Sequence, residues 1–236
     1  MPVLSVGDNV LSCVPGLRIV ATSVSGIDNG RPYEEVDALL TACWSEVREL
    51  RHEHPAAQDN PRIAAWRTAL RELGIQSKKF PSAIESMVRR AYKVPEPFRL
   101  NPLADFLHAL SLRHQLPLGG FDATDIDGTL ELRRTREGDT FHSLDAPEAV
   151  PVEPDEVAYV WQNVVLTRHF MWRQSAQALL APKTTDAIIV VEVPPVVDDA
   201  GLDKFLQDLA DGLADHFGNP VTPHVVATDG VTVQLP

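Results

Sequence analysis

The sequence predicts an α+β fold, a mixed sheet with flanking helices. Three observations lead there. Strand and helix signals come in clusters and do not alternate strictly. The 236 residues are 44% hydrophobic, enough to bury a real core. Pro, Gly and Asn stand where regular structure starts or stops.

In chain order, Pro2 to Val6 and Leu17 to Val24 read as strands. Tyr33 to His52 reads as a helix, because Val36, Leu39, Leu40, Cys43, Val47 and Leu50 recur at near-helical spacing. Asn60-Pro61 opens another: Asn caps it, and Pro takes the first turn, where its missing N–H costs nothing. Gly74 ends it. Ser82 and Glu85 form a capping box, each side chain satisfying the other's backbone donor, for a helix to about Lys93. Asn101-Pro102 repeats the cap and starts a helix to His114. Strands then dominate, at Thr129 to Thr135, Glu156 to Gln162, Val164 to His169 and Ala187 to Val193. Three prolines between Asp145 and Pro154 mark a surface loop, not a linker between domains. Leu202, Phe205, Leu206, Leu209, Leu213 and Phe217 make one apolar helical stripe, closed by Gly218. Two last strands flank Asp229-Gly230, a hairpin dipeptide. Residues 1–236 read as a single domain.

Charge narrows the partners. The net charge of −12 argues against nonspecific grip on nucleic acid, and DNA is not expected as a partner. Between Arg62 and Arg99, however, nine Lys/Arg face three Asp/Glu, a local +6 that leaves −18 elsewhere. That island is either one contact point for a polyanion or a set of solvated helix faces. No apolar run approaches the ~18–20 residues that span a bilayer, and MPVLSVGDNVLS lacks the basic start of a secretory signal. Cys13 and Cys43, without a CxxC, fit reduced thiols in a cytoplasmic protein, against a disulfide or metal pair.

Familiar chemistries are mostly excluded. Asp122, Asp125, Asp127 and Gly128 suggest a calcium loop. With Gly128 sixth, however, Ala123 and Arg134 occupy the first and twelfth positions, so the segment reads as a turn. HExxH, GxSxG and GxxxxGK[ST] are all missing, and neither cofactor nor metal is expected. Asp105 and His108 share a helix face, as a proton relay or a hydrogen-bonded structural pair. Gly119-Gly120, after a Pro turn, allow either close approach of a ligand to the backbone or a tight turn. Arg168, His169, Trp172, Arg173, Gln174 and Ser175 form a dense polar-aromatic cluster. Its arginines can fork onto a carboxylate or phosphate beside a stacking indole, or pair with acids of the chain.

These segments resemble the tRNA-editing domain of bacterial phenylalanyl-tRNA synthetase beta chains, formed by the third and fourth B modules, and more closely the stand-alone proteins carrying only that domain. The family's Gly-Gln-Pro-Met-His-Ala-Phe-Asp aligns with Gln115 to Asp122. The glycine, arginine-ended strand and Gly-Glu that follow align with Gly128, Leu130 to Arg133 and Gly138-Asp139. Ile188 to Glu192 matches a late strand ending in glutamate. The likeness covers about residues 60–193, with N-terminal strands and helix and a C-terminal helix-hairpin outside it.

The resemblance implies an α+β domain with an amino-acid pocket and, in the synthetase, hydrolysis of mischarged tRNA. Two departures are visible. Gly119 stands where the family has its pocket histidine, and Arg173-Gln174-Ser175 stands where a Gly-rich segment carries an acid. The functional expectation is a stand-alone editing-type domain binding the aminoacyl end of a tRNA, with aminoacyl-tRNA deacylase (ester hydrolase) activity. The alternative is a small-molecule, amino-acid-binding or biosynthetic protein without tRNA. Gly119, Gly120, Asp122, Arg133, Arg168, Trp172, Arg173, Gln174 and Ser175 would bind substrate. His108 or Asp105 would serve as general base, and Lys78, Lys79, Arg89 and Arg90 would meet the RNA backbone.

Overall fold

Two sheets, five α-helices and three short 3-10 turns make up the structure, a computed structural model that describes residues 2–235. In chain order the elements are β1 Val3–Val6, β2 Arg18–Val24, α1 Glu34–Glu49, α2 Pro61–Glu72, α3 Ala83–Ala91, α4 Pro102–His114, β3 Leu118–Asp122, β4 Thr129–Arg134, β5 Thr140–Phe141, β6 Val150–Pro151, β7 Val157–Trp161, β8 Val164–Arg168, β9 Arg173–Gln174, β10 Ala187–Val193, α5 Asp199–Phe217, β11 His224–Val226 and β12 Val231–Gln234. The larger sheet runs β12-β1-β4-β7-β8-β5-β6, with β9 beside β8. It is mixed, since β1 pairs β4 and β5 pairs β8 in parallel. The smaller sheet, β11-β2-β10-β3, is antiparallel throughout. The α+β expectation holds. No helix among the described residues is long and apolar enough to cross a membrane.

β10 explains how the layers meet. All seven of its residues are buried. Ala187, Ile189, Val191 and Val193 pack into the core shared with α4 and α5. Ile188 and Val190 face the other way, into the core that holds Tyr159, Leu166 and Phe170 from the larger sheet and the turn after β8. A strand covered on both faces has no solvent face to alternate toward, so it reads as an unbroken apolar run. On α5, Leu202, Phe205, Leu209, Leu213 and Phe217 are buried, at about 1.5–3 kcal/mol each. Gly218 ends that helix at φ +67°, a left-handed turn that glycine adopts without strain.

The helix starts follow their caps. Asn60 accepts from the Arg62 N–H at 2.9 Å, and Asn101 accepts from Ala104 at 3.1 Å. Ser82 accepts from the Glu85 N–H at 3.3 Å, but the box is only half made. The Glu85 carboxylate is buried and turns instead to Arg67 and Arg89, two guanidinium groups on one acid.

Two local expectations are corrected. Asp229-Gly230 does not turn a hairpin: β11 pairs β2 in the smaller sheet, and β12 pairs β1 in the larger. The dipeptide is a corner between sheets. Asp229 anchors it by accepting from the backbone N–H groups of Val10, Leu11 and Ser12 at 3.1, 2.7 and 3.0 Å. Gly119-Gly120 is likewise no turn; both lie inside β3, with Gly119 opposite Val190 and Gly120 opposite Ile189.

Candidate functional site

The two glycines of β3 exist for different reasons. A Cβ on Gly120 would lie 2.5 Å from Leu180 Cδ1 and 3.1 Å from Leu107 Cδ1, so a larger residue is excluded by packing. A Cβ on Gly119 would meet only Val190 Cγ2, at 3.6 Å, an ordinary contact. Gly119 therefore leaves space on the side facing the larger sheet. A cavity of about 80 Å³ fills that space. Gly119 and Phe121 line it from β3, and Val190 and Glu192 from β10. Tyr159, Thr167 and residues 170–174 close it from the larger sheet, and Ala83 from the start of α3.

Glu192 is the one carboxylic acid in this wall, and it is 3% exposed. The Tyr159 hydroxyl donates to its Oε1 at 2.8 Å, joining the two sheets at the cavity. Burial pushes the Glu192 carboxyl up to about 8, so it is mostly protonated at neutral pH. Burial, then the neighbouring Glu192, raises the Tyr159 phenol well above its ordinary value.

The opposite rim is a strained turn. His169 and Phe170 both have left-handed backbones, φ +49° and +67°. Each such non-glycine residue costs about 1–3 kcal/mol and persists only where surroundings over-determine it. Here Glu156 does much of that, accepting from the His169 N–H and clamping Arg168 through Nε and Nη2 at 2.8 Å each. The Phe170 N–H donates to the Val157 carbonyl, and its own carbonyl accepts from Thr167 Oγ1 at 2.9 Å. The turn projects Trp172 and Arg173 to the cavity. Trp172 meets Phe80 edge-on with ring centroids 4.8 Å apart, and Phe80 stacks on His169 at 3.5 Å. Burial lowers the His169 imidazole to about 4, leaving it neutral. Arg173 Nη2 donates to the exposed Asp145 at 2.7 Å, a pair that solvent screens. Gln174 Nε2 donates to the Gly120 carbonyl at 2.9 Å.

Of the substrate-binding expectations, Gly119, Trp172, Arg173 and Gln174 come together at this cavity. The others do not. Asp122 is buried and satisfied by Thr124 and Thr184 at 2.6 Å each. Arg133 is buried against Asp139 through two bonds of 2.7 and 3.0 Å, with Glu131 on its Nε. Arg168 is committed to Glu156, and the Ser175 hydroxyl donates to the His142 carbonyl at 3.0 Å. Their polar groups hold the fold, which sequence spacing cannot distinguish from a ligand site. Gly120 faces away from the cavity.

The expected pairing of His108 with Asp105 is corrected. His108 lines a second hollow with Gly120, Leu107 and Leu180, which adjoins the first cavity through Leu118, Gly119 and Gln174. Asp105 accepts from the Leu100 N–H at 3.0 Å, and no hydrogen bond joins it to His108, so neither a relay nor a bonded pair forms. Burial raises the Asp105 carboxyl and lowers His108 to about 4. Among the basic residues, Arg89 is tied to Glu85, and Arg90 lies over Phe98 at 4.6 Å. Lys78 and Lys79 sit on the turn before α3, with Lys79 5.0 Å from the Phe80 ring centroid. The site residues expected from the sequence leave out Tyr159, Glu156, Asp145 and also Glu192, which the resemblance marks only as the glutamate ending a late strand. Only Glu192 carried a signal: it is the lone ionisable residue in the apolar run from Ala187 to Val197.

Residues 65–202 match the family described as the B3/4 domain, more than half of the sequence. The chain belongs to the B3/4 domain family. It is a relative of the third and fourth B modules of phenylalanyl-tRNA synthetase beta chains. Among solved structures, this B3/4 domain is similar to an N-terminal fragment of the phenylalanyl-tRNA synthetase beta subunit from Pyrococcus horikoshii. The two are 11% identical with a TM-score of 0.45, over 95% of this chain and 50% of that one. The B3/4 chain thus spans half the length of that fragment. None of the curated proteins matches it.

Proposed function

We propose that this B3/4 protein is an editing-type domain whose cavity receives the aminoacyl end of a tRNA. The observation that carries the reading is the convergence of Gly119, Trp172, Arg173 and Glu192 on one cavity between the sheets. Arg173 offers a guanidinium whose present partner is exposed, so a ligand phosphate or carboxylate can replace Asp145. Trp172 offers an aromatic edge, and the protonated Glu192 can both donate to and accept from a polar group.

The same wall argues for binding ahead of fast hydrolysis at neutral pH. Ester hydrolysis needs a group that takes a proton from water. Thr167 Oγ1 already donates to Phe170, and Glu192 holds its proton. A deacylase working from this cavity would gain rate as pH rises toward 8, as Glu192 ionises. Incubation with a panel of mischarged tRNAs between pH 6 and 9 tests this. No release above background at any pH removes the editing reaction.

A second reading, an amino-acid binder without tRNA, is favoured by the net charge of −12 and the small cavity. Stabilisation by free amino acids in thermal shift, without tRNA retention on gels, would select it.

Two variants probe the cavity itself. Gly119→Ala should fold with unchanged or slightly higher stability, because its Cβ meets no close contact and glycine weakens strands. It should weaken ligand binding; an unchanged Kd would move the ligand elsewhere. Asp145→Ala should tighten binding of an anionic ligand about two- to fivefold, the worth of an exposed ion pair. A weaker Kd would show that Asp145 assists the ligand.

A further inference from the structure

A groove that shares no lining residue with the cavity between the sheets ends on a buried acid with an idle oxygen. It runs between the loop before α1 and the starts of α1 and α4, with a volume of about 290 Å³. Pro32, Leu100, Pro102 and Pro182 are among its walls. Asp105, from the first turn of α4, also lines it and is only 5% exposed. Its Oδ1 accepts from the Leu100 N–H at 3.0 Å. Its Oδ2 has no hydrogen-bond or ion-pair partner among the described residues, yet it is not sealed from the groove.

The polar groups around Asp105 are in use. Asn29 Nδ2 donates to Asn101 Oδ1 at 2.9 Å and to the Ala181 carbonyl at 2.8 Å, and Asn101 Nδ2 donates to the Leu180 carbonyl at 3.0 Å. Arg99 Nε donates to Asp37 Oδ1, and its Nη2 to Thr41 Oγ1, at 2.8 Å each. The Arg31 guanidinium lies 4.5 Å from the Tyr33 ring centroid, so that face is covered. Asp28 and Glu35 offset the charge of Arg31, and Asp37 that of Arg99, so the groove does not repel a small cation. A buried carboxylate is costly unless a hydrogen-bonding cation meets it. Burial raises the Asp105 carboxyl above its ordinary value, as a charge without compensation requires. The idle oxygen fits a donor that carries positive charge, and the leucine and proline walls fit methylenes behind it.

We propose that this groove binds a small aliphatic primary amine, with its ammonium on Asp105 Oδ2 and its alkyl chain along Leu100 and the prolines. The site is independent of what the cavity between the sheets holds.

Titration of the full chain with n-butylammonium, followed by heteronuclear NMR of the backbone amides, tests the site. Saturable shifts should centre on the Leu100 N–H, which shares the carboxylate, and on its neighbours along the groove. n-Butanol lacks the charge, and butyltrimethylammonium lacks the N–H donors. Both should bind at least about tenfold more weakly, the worth of a charged hydrogen bond. Asp105→Asn keeps an acceptor for the Leu100 N–H and should lower the affinity for butylammonium about tenfold or more. Asp203→Asn, the same loss of charge at an exposed position of α5, should leave it unchanged. Equal binding of the quaternary ion, or equal affinities of the two Asn variants, overturns the proposal in favour of general attraction to an acidic protein. If Asp105→Asn does not fold, the parent protein decides. Shifts that do not saturate, or that lie away from Leu100 and the groove, overturn the site.

Discussion

Glu192→Gln should flatten the pH dependence of stability between about pH 5 and 8. Burial raises the folded-state carboxyl to about 8, from its ordinary value of 4.5. The native state therefore holds a proton that the unfolded chain has released. The stability from that protonated carboxyl is fully present below the unfolded value and is lost as pH rises toward 8, by at most about 1.4 kcal/mol per pH unit. Glutamine keeps the shape and can still accept from the Tyr159 hydroxyl, so the variant should match the parent near pH 5 and exceed it by several kcal/mol near pH 8 to 9. Urea unfolding at intervals across this range measures the difference. Parallel pH profiles for the two proteins would mean that Glu192 is ionised in the fold. The cavity would then carry a negative charge at neutral pH, and a cationic ligand group would become the better candidate.

Arg133→Met should cost about 3–5 kcal/mol, the usual penalty for removing one partner of a buried ion pair. Arg133 is 4% and Asp139 3% exposed, and the two share two hydrogen bonds. Arg133 also donates to the carbonyls of Arg134 and Gln162, both at 3.0 Å. Truncation would strand the Asp139 carboxylate, whose acidity Arg133 supports, with only the Arg136 N–H and side chain to compensate. Replacing both partners, as Arg133→Met with Asp139→Leu, should recover much of the loss, because the remaining apolar pair needs no charge compensation. Chemical denaturation of the single and double variants gives the comparison. A stable single variant that has lost ligand affinity would return Arg133 to the binding residues and remove its structural role.

These two residues illustrate what the sequence reveals. Helices with Asn-Pro starts were legible because caps act through the nearest backbone, within three residues. β10 was legible because burial on both faces leaves an unbroken apolar run. The Asp229-Gly230 corner was not: its local chemistry fits a hairpin, and only the placement of β2 and β1 in separate sheets, where β11 and β12 take the outer positions, decides otherwise. At the site, Gly119, Trp172 and Arg173 line one cavity, while Gly120, expected with them, lies outside it. Arginine partners did not announce themselves. Arg168 and Arg173 stand five residues apart with the same chemistry, yet one is locked to a buried acid and the other to an exposed one.

β10 serves two masters, and this confines how the protein can adapt. One row of its side chains is wedged beneath α5, while the next row forms the ceiling of a small chamber. The row under α5 fixes the strand, and of the positions on the chamber side only Gly119 has room for a larger side chain without displacing a neighbour. The shape of the chamber can thus be altered at Gly119 while the layer beneath α5 keeps the strand in place.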